Sequence, residues 1–162
     1  TFDRAIKVMP KHPVAPTSKA RLLRQLGRED ESMVLLRKVV AENPGFAPAH
    51  SDLGIIYRNQ GRYDDAIGCF ETATRIDPGM ASAWVNLADQ LARSDRLAEA
   101  RTAIDKALQI DARFAVAHAV DAELKSREGK KEAALEALGK AKELAPESDR
   151  IQQADAFIQA AA

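Results

Sequence analysis

Residues 43–79 read NPGFAPAHSDLGIIYRNQGRYDDAIGCFETATRIDPG. Two turn signals of one chemistry, Asn43-Pro44-Gly45 and Asp77-Pro78-Gly79, bound the stretch. Between them, apolar residues recur at three- and four-residue steps, the period of an amphipathic helix. Leu53, Tyr57, Ile67, Phe70 and Ala73 fall on the stripes that two such helices would turn toward each other. Gly61 stands between the two runs, where a left-handed C-cap is wanted. Pro78 stops the second run, because proline has no backbone N–H and forces its predecessor out of the α region. The stretch is a helical hairpin.

The hairpin repeats along the chain. Pro10, Pro44 and Pro78 are evenly spaced, and Pro146 falls two such steps further on, with Ala112 in the skipped slot. Aligned on this ruler, the units are Pro13–Phe46, Ala47–Met80, Ala81–Phe114 and Ala115–Ser148. Small residues recur at Gly54, Ala88 and Ala122 and at Ala66, Ala100 and Ala134, which lets helix backbones approach closely. Gly27, Gly61 and Gly129 share the slot between helices, and Asp95, which tolerates positive φ better than most residues, takes it in the third unit. A self-similarity of this length marks stacked helical hairpins. Such a chain builds a surface rather than a catalytic pocket.

The second unit carries His50-x2-Leu53-Gly54-x2-Tyr57, Ala66-x3-Phe70, Ala73 and Pro78; the third carries Trp84-x2-Leu87-Ala88-x2-Leu91, Ala100-x3-Ile104 and Ala107. This resembles the tetratricopeptide repeat, W-x2-L-G-x2-Y, A-x3-F, A and P over about 34 residues. The first and fourth units match less well: their first landmarks are Pro16 and His118, and Asp121 stands where Leu is usual. The resemblance implies an all-α, right-handed superhelical solenoid of antiparallel hairpins: one array over 1–162 with repeats at 13–46, 47–80, 81–114 and 115–148. Phe2, Ala5 and Pro10 match a second helix, so residues 1–12 read as the end of a truncated repeat and the chain as a piece of a longer array. Residues 149–162, with Asp149 and Gln152 as a capping-box variant and Ile151, Ala154, Phe157 and Ile158 as an apolar stripe, read as a capping helix. The alternative is the start of a further repeat.

Composition agrees with a folded array: 46% hydrophobic and 30% charged residues, 5% aromatics and 31 alanines. No apolar run approaches the ~18 residues of a membrane span, and no signal-peptide pattern is present. Net charge is zero but uneven, +4 over residues 1–46 and −4 over 47–162. That polarity can steer a partner of opposite polarity or support head-to-tail self-association. A nucleic-acid binder would carry a stronger basic excess. Cys69, the one cysteine, excludes an intrachain disulfide and reads as a partly buried structural thiol. The alanine content and 14 Arg against 10 Lys point to a bacterial source, without choosing between cytoplasm and periplasm.

In the resembled family the first helices line a concave face, and ligands meet the second, fifth, sixth, ninth, twelfth and thirteenth positions of each repeat. Those offsets nominate Arg21, Arg24, Ser51, Asp52, Ile55, Arg58, Asn59, Asn86, Asp89, Arg93, Glu123 and Arg127 as groove residues. Every unit places an arginine at the twelfth or thirteenth slot, and a guanidinium fork grips carboxylates. The functional reading is a basic ladder for an extended acidic peptide. The competing reading is a set of solvated helix ends: Asp89 and Glu123 precede Arg93 and Arg127 at i, i+4 and can pair with them, whereas Arg21, Arg24 and Arg58 have no such neighbours. The clamp by which some family members hold chaperone tails is not matched, since Thr17, Arg21, Asp52, Ser82 and Asn86 stand at its positions.

No phosphate loop, HExxH or CxxC occurs. His50 and His118 occupy the position of Trp84 and read as packing residues, and His12 lies in a turn. Asp64-Asp65 compensates a helix N-terminus rather than forming a catalytic dyad. The leading expectation is a non-catalytic protein-interaction scaffold without metal or cofactor, binding a peptide or partner helix. The alternatives are the substrate-recruitment region of a glycosyltransferase, sulfotransferase or hydroxylase, and a self-assembling scaffold.

Overall fold

The computed structural model describes residues 12–161. Among them all regular structure is helical. Two compact units divide between Pro78 and Gly79. The leading half-repeat expected over residues 1–12 lies outside the described residues, His12 excepted.

In unit 1, α1 (Val14–Gln25) and α2 (Glu29–Glu42) form one hairpin, α3 (Ala47–Asn59) and α4 (Tyr63–Ile76) the next. The second helix of the first hairpin packs on the first helix of the second. Ala20, Leu36, Val39, Ala49, Leu53 and Ile56 form the core at that junction. In unit 2, α5 (Ala81–Arg93) pairs with α6 (Leu97–Ile110), and α7 (Ala115–Arg127) with α8 (Lys131–Leu144). The last helix, α9 (Asp149–Ala160), lies against both α7 and α8. Its Ile151, Ala154 and Ile158 join Ala119, Ala122, Ala134, Ala137 and Leu138 in a second core. Phe157, expected on the same stripe, is 37% exposed. No capping box forms. Ser148 is the N-cap, its side chain makes no cap bond, and Asp149 is already helical.

All four hairpin turns use one device. Gly27, Gly61 and Gly129 have φ of 74–76° and Asp95 has φ 60°. In each turn the residue after the left-handed position donates its N–H to a carbonyl of the preceding helix in the Schellman manner: Arg28 to Leu23 and Arg62 to Tyr57, Arg96 to Leu91 and Lys130 to Lys125, all at 2.9 Å. The next helix follows at once. In three turns that same residue also grips an acid one turn on, Arg28–Glu31, Arg62–Asp65 and Arg96–Glu99. The left-handed region disfavours any residue with a Cβ. Asp95→Gly should therefore raise stability by about 0.5–1 kcal/mol, read as a higher urea midpoint; an unchanged or lower midpoint would show that the aspartate side chain offsets its own strain.

The ring residues at the fourth repeat position tie helices to the preceding turns. His50 Nε2 lies 2.9 Å from the carbonyl oxygen of Pro44, and His118 Nε2 lies 2.8 Å from that of Ala112. A carbonyl only accepts, so each ring carries its proton on Nε2. These histidines bond to backbone as well as pack. Trp84, at the same position, is half-buried.

Candidate protein-interaction faces

In unit 1 the first helices α1 and α3 lie side by side. Arg21 Nε donates to Asp52 Oδ2 across them at 2.6 Å. This corrects the expectation that Arg21 has no acidic neighbour: its partner comes from the next hairpin, not from one turn away on its own helix. Asp52 is buried, and burial raises its carboxyl above the ordinary range, while the charge and hydrogen bond of Arg21 and the charge of Arg24 pull the other way. The Arg21 side chain is still 47% exposed. Arg24, Ile55 and Arg58 are half-buried, and Ser51 is buried. Asn59 is exposed, with Nδ2 donating to Glu29 Oε1 at 2.6 Å beside the hairpin turn. The structure thus gathers Arg21, Arg24 and Asp52, hides Ser51, and commits Asn59 to α2.

In unit 2, Arg93 Nε bonds to Asp89 Oδ2 at 3.0 Å, the i, i+4 pair that the spacing allows. The matching Glu123–Arg127 pair does not form. Glu123 is taken by Arg150 of α9, with Nη1 to Oε1 at 2.6 Å and Nη2 to Oε2 at 2.8 Å. Arg150 Nη2 also reaches Asp89 Oδ1 at 2.9 Å. A bidentate, largely buried guanidinium outcompetes a solvated i, i+4 partner. Arg127 instead donates to the carbonyl of Ala92 at 3.0 Å and stands over the Phe157 ring, 5.4 Å from its centroid. Asn86 is half-buried on the same helix as Asp89.

Sequence reasoning passed over Arg150. The repeat ruler places it at the second position of a fifth period, opposite the ninth-position acids, but the contact offsets span only the four complete units. Asp121 was visible as the wrong residue for its slot. It is 5% exposed and accepts from Arg101 of α6 and from Lys125 Nζ at 2.8 Å. Arg101 also bonds to Glu128 at 3.1 Å.

No cluster of metal-ligating side chains occurs among the described residues, and no described helix is long and apolar enough to cross a membrane. Burial, reinforced by the charge of Asp65, lifts the Cys69 thiol to about 11, against the opposing charge of Arg62. Such a thiol is a weak nucleophile at neutral pH.

The tetratricopeptide repeat model matches residues 51–113. No curated protein sequence matches the chain. Among solved structures, the chain is similar to a thermophilic tetratricopeptide-repeat protein of Thermus thermophilus, at 23% identity and TM-score 0.77, covering 99% of this chain and 86% of that one. It is similar to the first repeat domain of Spaghetti (RPAP3), solved with the HSP90 peptide SRMEEVD, at 23% identity and TM-score 0.63, covering 71% and 91%. It is also similar to the O-GlcNAc transferase of Thermobaculum terrenum, at 22% identity and TM-score 0.75, covering 81% of this chain but 26% of that one. With helical hairpins joined by one kind of turn and recurring at a fixed period, the chain is an all-α repeat solenoid, and its residues 51–113 match the tetratricopeptide repeat.

Proposed function

We propose that this chain is a non-catalytic protein-interaction module that takes an acidic peptide segment, or a partner helix with an acidic face, on its first-helix surfaces. The observation that carries the reading is the charge of unit 1: the nominated positions of α1 and α3 hold three arginines, Arg21, Arg24 and Arg58, and one carboxylate, Asp52. Ile55 adds an apolar contact beside them. A half-buried guanidinium has lost part of its hydration and gains most from a carboxylate that can accept two hydrogen bonds. The peptide held by the RPAP3 domain, SRMEEVD, contains three acidic residues, so a fold of this kind accommodates such a segment. The residues here differ from the chaperone-tail clamp, and the partner is correspondingly of another sequence.

The test uses a fluorescein-labelled decapeptide of alternating Glu and Ser and follows its anisotropy. Arg24→Glu/Arg58→Glu should weaken binding at least about tenfold, roughly 1.4 kcal/mol or more, and raised salt should weaken the wild type in the same direction. Equal affinity of both forms at physiological salt would end the reading. A second reading leaves the faces in place but makes them the recruitment region of a larger enzyme. Its support is the O-GlcNAc transferase, of which this chain matches about a quarter; the sequence flanking residues 1 and 162 decides it.

A further inference from the structure

We infer that Arg150 is a built-in ligand: from α9 it fills a guanidinium site that Asp89 and Glu123 form on the first-helix face of unit 2, and so sets the sign of charge which that face accepts. The inference rests on the reading of first-helix faces as binding surfaces. Asp89 and Glu123 are one period apart, at the same repeat position of α5 and α7, and those helices pack against each other. Two carboxylates held at one height repel, and Asp89 is only 8% exposed. A planar fork answers both at once. Arg150 meets Glu123 with two parallel bonds and Asp89 with a third, all between 2.6 and 2.9 Å. A lysine, being a point charge, could not span the pair in this way.

The site is built around its occupant. Asp89 Oδ2 accepts from Arg93 at 3.0 Å and from Gln90 Nε2 at 3.3 Å, while Oδ1 accepts from Arg150. Arg150 comes from an anchored element, because Ile151, Ala154 and Ile158 of α9 are buried in the core of unit 2. With Arg150 present, the group Asp89, Arg93, Glu123, Arg127 and Arg150 sums to +1 and its carboxylates are consumed. Remove Arg150 and the sum falls to zero, with two carboxylates lacking their shared donor. The face then recognises a guanidinium from outside. Unit 1 has no equivalent, since its ninth-position residues are Arg21 and Ile55.

The experiment titrates wild type and Arg150→Ala with two labelled decapeptides, one alternating Glu and Ser, the other alternating Arg and Ser. The arginine peptide should bind Arg150→Ala at least about tenfold more tightly than wild type. Adding Asp89→Asn and Glu123→Gln to the variant should abolish that gain. Arg150→Lys, which keeps the charge and the aliphatic stem, should fall between; it also serves if the alanine variant folds poorly by circular dichroism. Unchanged affinity for the arginine peptide in both variants would overturn the inference. Failure of the glutamate peptide to bind wild type would instead overturn the functional proposal, so the two failures are separable.

Discussion

Gly54→Ala is expected to lower stability by about 2–3 kcal/mol, a large effect for the addition of one methyl group. A Cβ at this position would stand 2.6 Å from Phe70 Cε1 and 2.9 Å from two further ring atoms. Phe70 is fully buried. Its ring belongs to α4, and Gly54 is the point on α3 where the two backbones close on each other. The ring cannot swing away without opening the hairpin, so the helices must separate. The same ruler that defines the repeat also supplies the remedy. One and two periods on, the residue pairs are Ala88 with Ile104 and Ala122 with Leu138: where alanine replaces glycine, a smaller aliphatic replaces phenylalanine. Gly54→Ala/Phe70→Leu should therefore recover much of the loss, even though Phe70→Leu alone costs about 1 kcal/mol by leaving space beside the glycine. Urea midpoints of the four proteins give the coupling directly. Additive losses would mean that the clash is relieved elsewhere.

A second large effect is expected in unit 2. Arg101→Ala should cost about 3 kcal/mol, because it takes from the buried Asp121 the guanidinium that α6 brings to α7. Lys125 remains on Asp121 and keeps the loss from being larger. The position occupied by Asp121 holds Leu53 and Leu87 in the two preceding repeats. Replacing both partners, as Arg101→Met/Asp121→Leu, removes the desolvated charges together and should return stability to within about 1 kcal/mol of the wild type or above it. If the double variant is as weak as Arg101→Ala, the ion pair contributes more than its own desolvation, and the aspartate is irreplaceable at that seat.

Legibility in the sequence followed the range of the interaction. The hairpins, their turns and the close contacts at Gly54, Ala66 and Ala100 depend on residues a few positions apart or on the period itself, and both can be read from one chain. The ion pairs of the faces depend on which helix lies beside which. Local spacing could offer Glu123–Arg127 and Asp89–Arg93; it could not decide that Glu123 would go to Arg150 of α9, or that Arg21 of α1 would find Asp52 of α3. The Arg28, Arg62 and Arg96 pairings at the turns were local enough to be read, yet no single motif draws attention to them. The capping box failed for a different reason: Ser148, one residue earlier, already fills the N-cap position, and the sequence pattern locates a helix start only to within about that margin.

The four hairpin turns also bear on how the chain reaches this structure. Each is closed by backbone bonds between near neighbours in sequence. Helix growth on either side is likewise local, and the ends of each hairpin need close only a short loop. The entropy lost before the first favourable contacts form is small, so the search is short-ranged and relative contact order low. Hairpins can then form in any order and recruit their neighbours. A defect such as a forced glycine or an orphaned carboxylate slows or weakens one hairpin and its adjoining contacts, without erasing the others from the ensemble.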